Sequence, residues 1–308
     1  MSAVSAIVSS HWAILPEALQ GIIALAERRQ DDPALVAMRE KAIEEGRWPP
    51  RPDALLVTGA VPLEGAPRRV YRREGVAIIP VIGAIIPHAS IFAEVSGAVS
   101  VDFLTAAVRA AAANDEIKTI AMIFDSPGGA VPGIQELAGR IVSTGAQKRV
   151  ESYAYGNTAS AAYWLASAAA RLTVAPTAVL GSIGIVAAIP VQEGTDAMGM
   201  RRIEIVSSNA PRKRPDPRSD DGAADIRVTL DSLETVFVDA VAAQRHVTRE
   251  KVMSDFGKGG VMVGAEAVKA GMADAVLPFD AWLDRLVGEA TPPRRRMAAE
   301  SYLKDRAA

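Results

Sequence analysis

The sequence contains no cysteine, which excludes disulfides, thiolate catalysis and cysteine-ligated zinc. Its three histidines, His11, His88 and His246, are too scattered along the chain to mark a metal site. Any nucleophile must therefore be a hydroxyl, an amine or a carboxylate. No uncharged apolar run reaches the roughly 20 residues that a membrane-spanning helix needs. The opening residues, Met1 to Trp12, lack the basic residues of a secretory signal, so the cytoplasm is the expected location. Excess charge is missing too. A net charge of −2 over 308 residues offers no electrostatic reason to name nucleic acid or an anionic membrane as the main partner. Aromatic residues make up only 5%, and with the many alanines this favours a binding groove lined by small side chains.

What is present is ample material for a core, 49% hydrophobic, arranged in a changing pattern along the chain. Residues 14–45 have the apolar spacing of a helix, with Pro16 near its first turn. The segment Arg47 to Arg69 carries five prolines among glycines, the composition of an irregular linker. A boundary is expected near residue 70, giving an N-terminal extension (1–70), a main domain (71–288) and a basic tail (289–308).

From Gly75 the pattern alternates. Apolar runs at Val76–Ile82, Thr119–Phe124, Val150–Ala154 and Arg171–Ala175 predict strands. Helical segments separate them at 102–113, with Asp102 as its expected cap, at 132–144, and after Ser160. Further helices are expected at 192–199, 223–243, 248–256, 264–270 and 279–287, and strands at 203–207 and 273–277, with a polar loop over 208–222. Such alternation predicts an α/β domain with mostly parallel strands. Active groups in such sheets sit in the loops after strands.

Two of those loops carry the chemistry. Asp125-Ser-Pro-Gly-Gly follows a strand and ends in two glycines, Gly128 and Gly129. Glycine lets a backbone approach a ligand closely, so the turn is a candidate oxyanion hole. Ser160 lies among Thr158, Ala159, Ala161 and Ala162 at the start of an alanine-rich helix, a candidate nucleophile. Ser126, the rival hydroxyl, precedes a proline in a turn and reads as structural. Asp125 is expected to orient that turn through a backbone hydrogen bond, and Tyr163 and Trp164 read as core.

A serine needs a base. The histidines fall at surface positions, which leaves a lysine. On composition alone Lys213, in Arg212-Lys-Arg214, reads as part of a solvated basic loop.

Four features in consistent order, Asp125-Ser-Pro-Gly-Gly, the Ser160 segment, Gly181-Ser-Ile-Gly184 and a lysine about fifty residues beyond the serine, resemble the S49 peptidases. These are the signal peptide peptidase A group and its phage capsid-protease relatives. The likeness spans about residues 75–285. It implies Ser160 as nucleophile, Lys213 as general base acting in its own or a neighbouring subunit, and the Gly129 N–H, with Gly128, facing the oxyanion. It also implies Ser182 as the serine that hydrogen-bonds the lysine. The implied fold is a ClpP-like or crotonase-like spiral of ββα units, in rings of identical subunits and with no metal or other cofactor. The lysine segment departs from the family's signal-peptide-processing members: Lys213 is flanked by arginines rather than preceded by a short run of small residues.

The resulting expectation is a serine endopeptidase with a Ser-Lys dyad. Without a membrane anchor and with a Pro-tethered basic tail, it reads as a phage or prophage enzyme processing scaffold and capsid protein in the prohead. A housekeeping signal-peptide or oligopeptide peptidase, a crotonase-type acyl-CoA enzyme and a catalytically silent assembly protein are the alternatives.

Overall fold

Strands buried on both faces need unbroken apolar runs, whereas helices need one apolar stripe. The computed structural model shows both, and it describes residues 11–20, 59–88, 97–189, 191, 194 and 206–291. In chain order the strands are β1 (His11–Ile14), β2 (Val61–Pro62), β3 (Tyr71–Arg73), β4 (Val76–Ile82), β5 (Ile85–Ile86), β6 (Val99–Ser100) and β7 (Thr119–Ser126). Then follow β8 (Gly128–Ala130), β9 (Arg149–Ala159), β10 (Arg171–Val174), β11 (Val179–Gly181), β12 (Val186–Ala187), β13 (Val261–Val263) and β14 (Ala275–Val276). The helices are α1 (Val101–Ala113), α2 (Ile134–Gly145), α3 (Ala161–Ser167), α4 (Asp220–Arg245), α5 (Arg249–Asp255), α6 (Gly264–Ala270) and α7 (Phe279–Ala290).

The protein is a mixed α/β structure with two sheets. The larger runs β13-β11-β9-β7-β4-β3-β2, with β10 and β14 continuing from the first half of β9. Its centre, β4, β7 and β9, is parallel. The smaller sheet runs β12-β1-β8-β5-β6. Alternation along the central strands splits the core: Ala77, Ile79, Ile120, Met122 and Phe124 share one cluster with residues of α1, α2 and α3. Val76, Ile78, Ala121, Ile123 and Tyr153 meet Trp282, Leu283 and Leu286 of α7 on the other face. The fully buried Glu151 belongs to this α7 side, held by Trp282 Nε1 at 3.1 Å and Arg285 Nη2 at 2.6 Å. Removing one partner of such a pair leaves a buried charge uncompensated.

Several expectations need correction. Ile14 is strand rather than helix; residues 16–20 are helical, and the rest of that predicted helix lies outside the described residues. Part of the expected linker is ordered: β2 pairs with β3, and Leu63 is buried. Helix α1 is capped by Ser100, whose Oγ accepts the Phe103 N–H, with Asp102 in the first turn instead. The polar loop 208–222 contains a 3-10 turn, Pro211–Lys213, and the first residues of α4. The predicted strand at 203–207 lies largely outside the described residues, as do most of helix 192–199 and nearly all of the basic tail.

Helix α3 is tied down by aromatic and ionic contacts, which fixes the residues at its start. Trp164 stacks on Phe237 of α4 with ring centroids 4.4 Å apart, and the buried Tyr163 hydroxyl donates to the Met272 carbonyl at 3.0 Å. Both residues are core, as expected. Arg245 and Asp274 form an ion pair at 2.7 Å beside Tyr163. Burial pushes the Asp274 carboxyl up, but its hydrogen bonds from Arg245 and the Leu172 N–H outweigh this and hold it below the ordinary carboxylate value. A carboxyl depressed in the folded state adds stability once it is ionised in both states, and that stability is lost as pH falls through the folded value. Urea denaturation should therefore show stability falling as pH drops below about 4, and Asp274→Asn should flatten that acid limb. At pH 7 this variant is expected to lose about 2 kcal/mol, less than the roughly 3–5 kcal/mol of a fully buried pair because Asp274 is 34% exposed.

Candidate active site

Strand β7 ends in Asp125-Ser126, and the turn that follows, through Pro127, is built for close packing. Gly128 has φ +102°, a region that side-chain-bearing residues rarely enter. A Cβ on Gly129 would lie 1.9 Å from the Ile85 carbonyl oxygen. Glycine at both positions is thus a steric requirement. Ser126 is buried, and its Oγ accepts the Gly128 N–H at 3.2 Å, which makes it part of the turn.

The partner strand explains how Ser160 arrives beside this turn. Phe124 pairs with Ala154, but Ser126 pairs with Thr158, so β9 bulges outward between them. Asp125 fills the bulge: its Oδ1 accepts the Asn157 N–H at 3.0 Å, and a Cβ on Gly156 would lie 2.4 Å from that oxygen. Just past the Ser126–Thr158 pair, the chain leaves β7 for Gly128, the first residue of β8, and leaves β9 for Ser160, the residue before α3. A Cβ on Gly128 would come within 2.9 Å of the Ala159 carbonyl oxygen. The Gly-Gly turn and the serine are therefore neighbours.

Ser160 stands at the junction of β9 and α3 with φ 54° and ψ −118°, a strained backbone for any residue with a side chain. Its N–H donates to the Gly181 carbonyl at 2.6 Å, and its carbonyl accepts the Trp164 N–H at 2.9 Å. The side chain is fully buried and its Oγ has no hydrogen-bond partner. Ser152, Thr158 and Thr173 also bury hydroxyls without a protein partner. What sets Ser160 apart is that its hydroxyl stands on a strained residue at a strand-to-helix turn beside two glycines, a combination that points to chemistry rather than to packing. Ser182 follows directly on Gly181. It too has positive φ, 53°, and its N–H donates to the Gly260 carbonyl at 2.7 Å.

Lys213 is placed differently. It sits exposed on the 3-10 turn and lines a cavity of about 690 Å³ with His11, Ala187, Arg212, Arg214 and Asp225. Neither Ser160 nor the Gly-Gly turn lines that cavity. Arg212 is paired with Asp225 at 2.6 Å, which fastens the turn to α4. The structure thus assembles Ser160, Gly128, Gly129 and Ser182, while Lys213 makes no hydrogen bond to the Ser160 hydroxyl and lacks the burial expected of a lysine base.

Sequence reasoning missed β1 altogether. It lies antiparallel to β8, with Ala13 opposite Gly129 and Ile14 opposite Gly128. The signal for it was a four-residue apolar run before Pro16, which is equally the start of a helix.

Residues 143–291 match the family model described as Peptidase family S49. Over this stretch the chain is similar to peptidase family S49. The matched stretch contains Ser160, Ser182 and Lys213, whereas the Gly-Gly turn precedes it. The chain is 27% identical over 215 residues to the head-tail preconnector protein GP5 of Enterobacteria phage P21, covering 68% of this chain and 42% of the relative. It is 28% identical over 206 residues to the capsid assembly protease C of Escherichia phage lambda, covering 66% and 46%. Protease 4 of Salmonella typhi is 26% identical over 190 residues, covering 61% and 31%. The chain thus spans less than half the length of each of these relatives. Among the described residues no helix is long and apolar enough to cross a membrane, and no cluster of acidic or histidine side chains is placed to hold a metal ion.

Proposed function

We propose that the chain is a serine endopeptidase that hydrolyses peptide bonds through an acyl-enzyme on Ser160. The observation that carries this reading is the orphaned, buried hydroxyl of a strained serine beside the Gly-Gly turn. Lys213 takes the serine proton, Oγ attacks the scissile carbonyl, and the Gly129 N–H, with Gly128, stabilises the oxyanion. The protonated lysine then delivers its proton to the leaving amine and activates the water that releases the acyl group. Ser182 orients the lysine. In this reading 71–288 is the peptidase body, folded as a ClpP-like spiral and assembled into a ring, and 289–308 is a basic tail.

Two of the relatives are phage proteins named for capsid assembly and for the head-tail preconnector. This supports scaffold and capsid proteins as substrates during head maturation. The likeness to Protease 4 supports a second reading, a housekeeping oligopeptide peptidase; co-encoded portal and major capsid proteins would decide for the first.

The dyad is tested by digesting a scaffold protein with Lys213→Ala, with Ser160→Ala, and with the two variants mixed under assembly conditions. Each single variant is expected to be inactive. Recovery on mixing assigns Lys213 to the neighbouring subunit, and no recovery assigns it to the same chain. Full activity of Lys213→Ala alone would remove the lysine from the mechanism.

A further inference from the structure

Strand β1 occupies a slot with hydrogen-bonding partners on both edges, β8 on one side and β12 on the other. Two flanking bonds set its phase on β8: Val131 N–H donates to the His11 carbonyl at 3.0 Å, and Leu15 N–H donates to the Pro127 carbonyl at 2.9 Å. In an antiparallel ladder such bonds recur at every second pair, so Ala13 and Gly129 bond to each other. The Gly129 N–H is therefore directed at the Ala13 carbonyl. This is the donor assigned above to the oxyanion, and it is already engaged by a peptide carbonyl of the protein's own chain.

The close fit depends on Gly128. A Cβ there would lie 2.2 Å from the Ala13 carbonyl oxygen and 3.0 Å from Ile14 Cα, and the same point is 2.9 Å from the Ala159 carbonyl oxygen. The peptide of Ala13 and the residue before Ser160 thus flank one spot. Side chains alternate as a strand requires: Trp12 and Ile14 pack with Ala130, Ala84 and Ala188, while Ala13 points the other way and is fully buried in the main core cluster. The occupant reads large, small, large.

The departure of β1 leaves the larger sheet intact and frees β12, whose strand pairing among the described residues is with β1 alone. β1 belongs to the smaller sheet alone, and β8 keeps its pairing with β5 when β1 is gone. A vacated slot would expose backbone N–H and C=O groups on both walls, which is how extended peptides are captured by strand addition.

We propose that the slot between β8 and β12 is the recognition site for an extended apolar peptide with a small residue between two large ones, and that residues 11–15 are its built-in occupant. The chain is then self-blocked until this segment leaves. The proposal rests on the peptidase reading for its consequence, but its binding arm can be tested without catalysis.

The full chain carrying Ser160→Ala is titrated with a fluorescein-labelled peptide of residues 9–17, with and without Ala13→Arg. A charged side chain cannot remain at the fully buried Ala13 position, so the second substitution ejects β1. At least tenfold tighter peptide binding is expected in the double variant. Trp12→Asp, which attacks the opposite face of β1, should act the same way and serves if Ala13→Arg fails to fold. Equal binding with β1 intact or ejected, or no binding in either folded protein, overturns the proposal. With Ser160 restored, Ala13→Arg is expected to raise turnover of the same peptide about tenfold. Serine-dependent turnover that Ala13→Arg leaves unchanged would sink the slot and spare the peptidase. Tighter binding without turnover would sink the peptidase and spare the slot.

Discussion

Ser160→Ala is expected to lower peptide hydrolysis by roughly 10⁴-fold or more, the loss that follows removal of a serine nucleophile, while making the folded protein more stable. The two effects have one cause. The hydroxyl is fully buried and has no partner in the protein, so no hydrogen bond within the protein is lost with it, and removing a polar group that the fold leaves unsatisfied yields about 1 kcal/mol. Ser160→Gly should gain about 1 kcal/mol more, because glycine accepts the positive φ of 54° without strain. Urea denaturation of both variants beside a scaffold-protein digest provides the check. A destabilised Ser160→Ala that still cleaves would show the serine to be a structural residue, and the mechanism would fall with it.

Gly129→Ala carries the second large effect. Its Cβ would meet Ile85 at 1.9, 2.6 and 2.7 Å, and all three contacts are backbone atoms. No side-chain rotation relieves such a clash, so β5 or the turn itself must move. A stability loss of about 3 kcal/mol is expected, together with a fall in turnover of about 10²-fold as the N–H leaves its place. Gly139→Ala is the contrast: it lies inside α2, and apart from its chain neighbours and its own helix backbone no atom comes within 4 Å of the added carbon. It should gain up to about 1 kcal/mol from helix propensity alone. If both substitutions prove equally harmless in thermal unfolding and in turnover, the close packing of the turn is not what shapes the site.

The elements that were legible in the sequence are those whose signal is local. Val76–Ile82 and Thr119–Ser126 are apolar runs bounded by turns, and they form the parallel centre of the sheet. The Gly-Gly turn and Ser160 announced themselves by residue type, and the structure sets them side by side. Strand β9 was read too short because Gly156 and Asn157 have the composition of a loop. They stay in the strand because Asp125, distant in sequence, fills the bulge they make. The cap of α1 was misassigned between two good capping residues, Ser100 and Asp102, whose difference is only which one has extended backbone.

Position is what sequence could not supply for His11–Ile14 and for Lys213. A four-residue apolar run takes its conformation from its partners, and those partners, Gly128–Ala130 and Val186–Ala187, are far along the chain. The lysine is named by likeness to a family, whereas its exposure on the 3-10 turn and the absence of a hydrogen bond from it to the Ser160 hydroxyl are properties of the fold.

Residue order alone determined that this protein has an α/β core, a pair of loop glycines after a strand, a hydroxyl nucleophile candidate and no thiol chemistry, because periodicity, turn residues and composition act over a few neighbours. Only the tertiary structure decided that the serine is strained and unpartnered and that the chain's own N-terminal strand lies across the glycine turn. Those outcomes depend on hydrogen bonds and excluded volume between segments that meet only once the chain has folded.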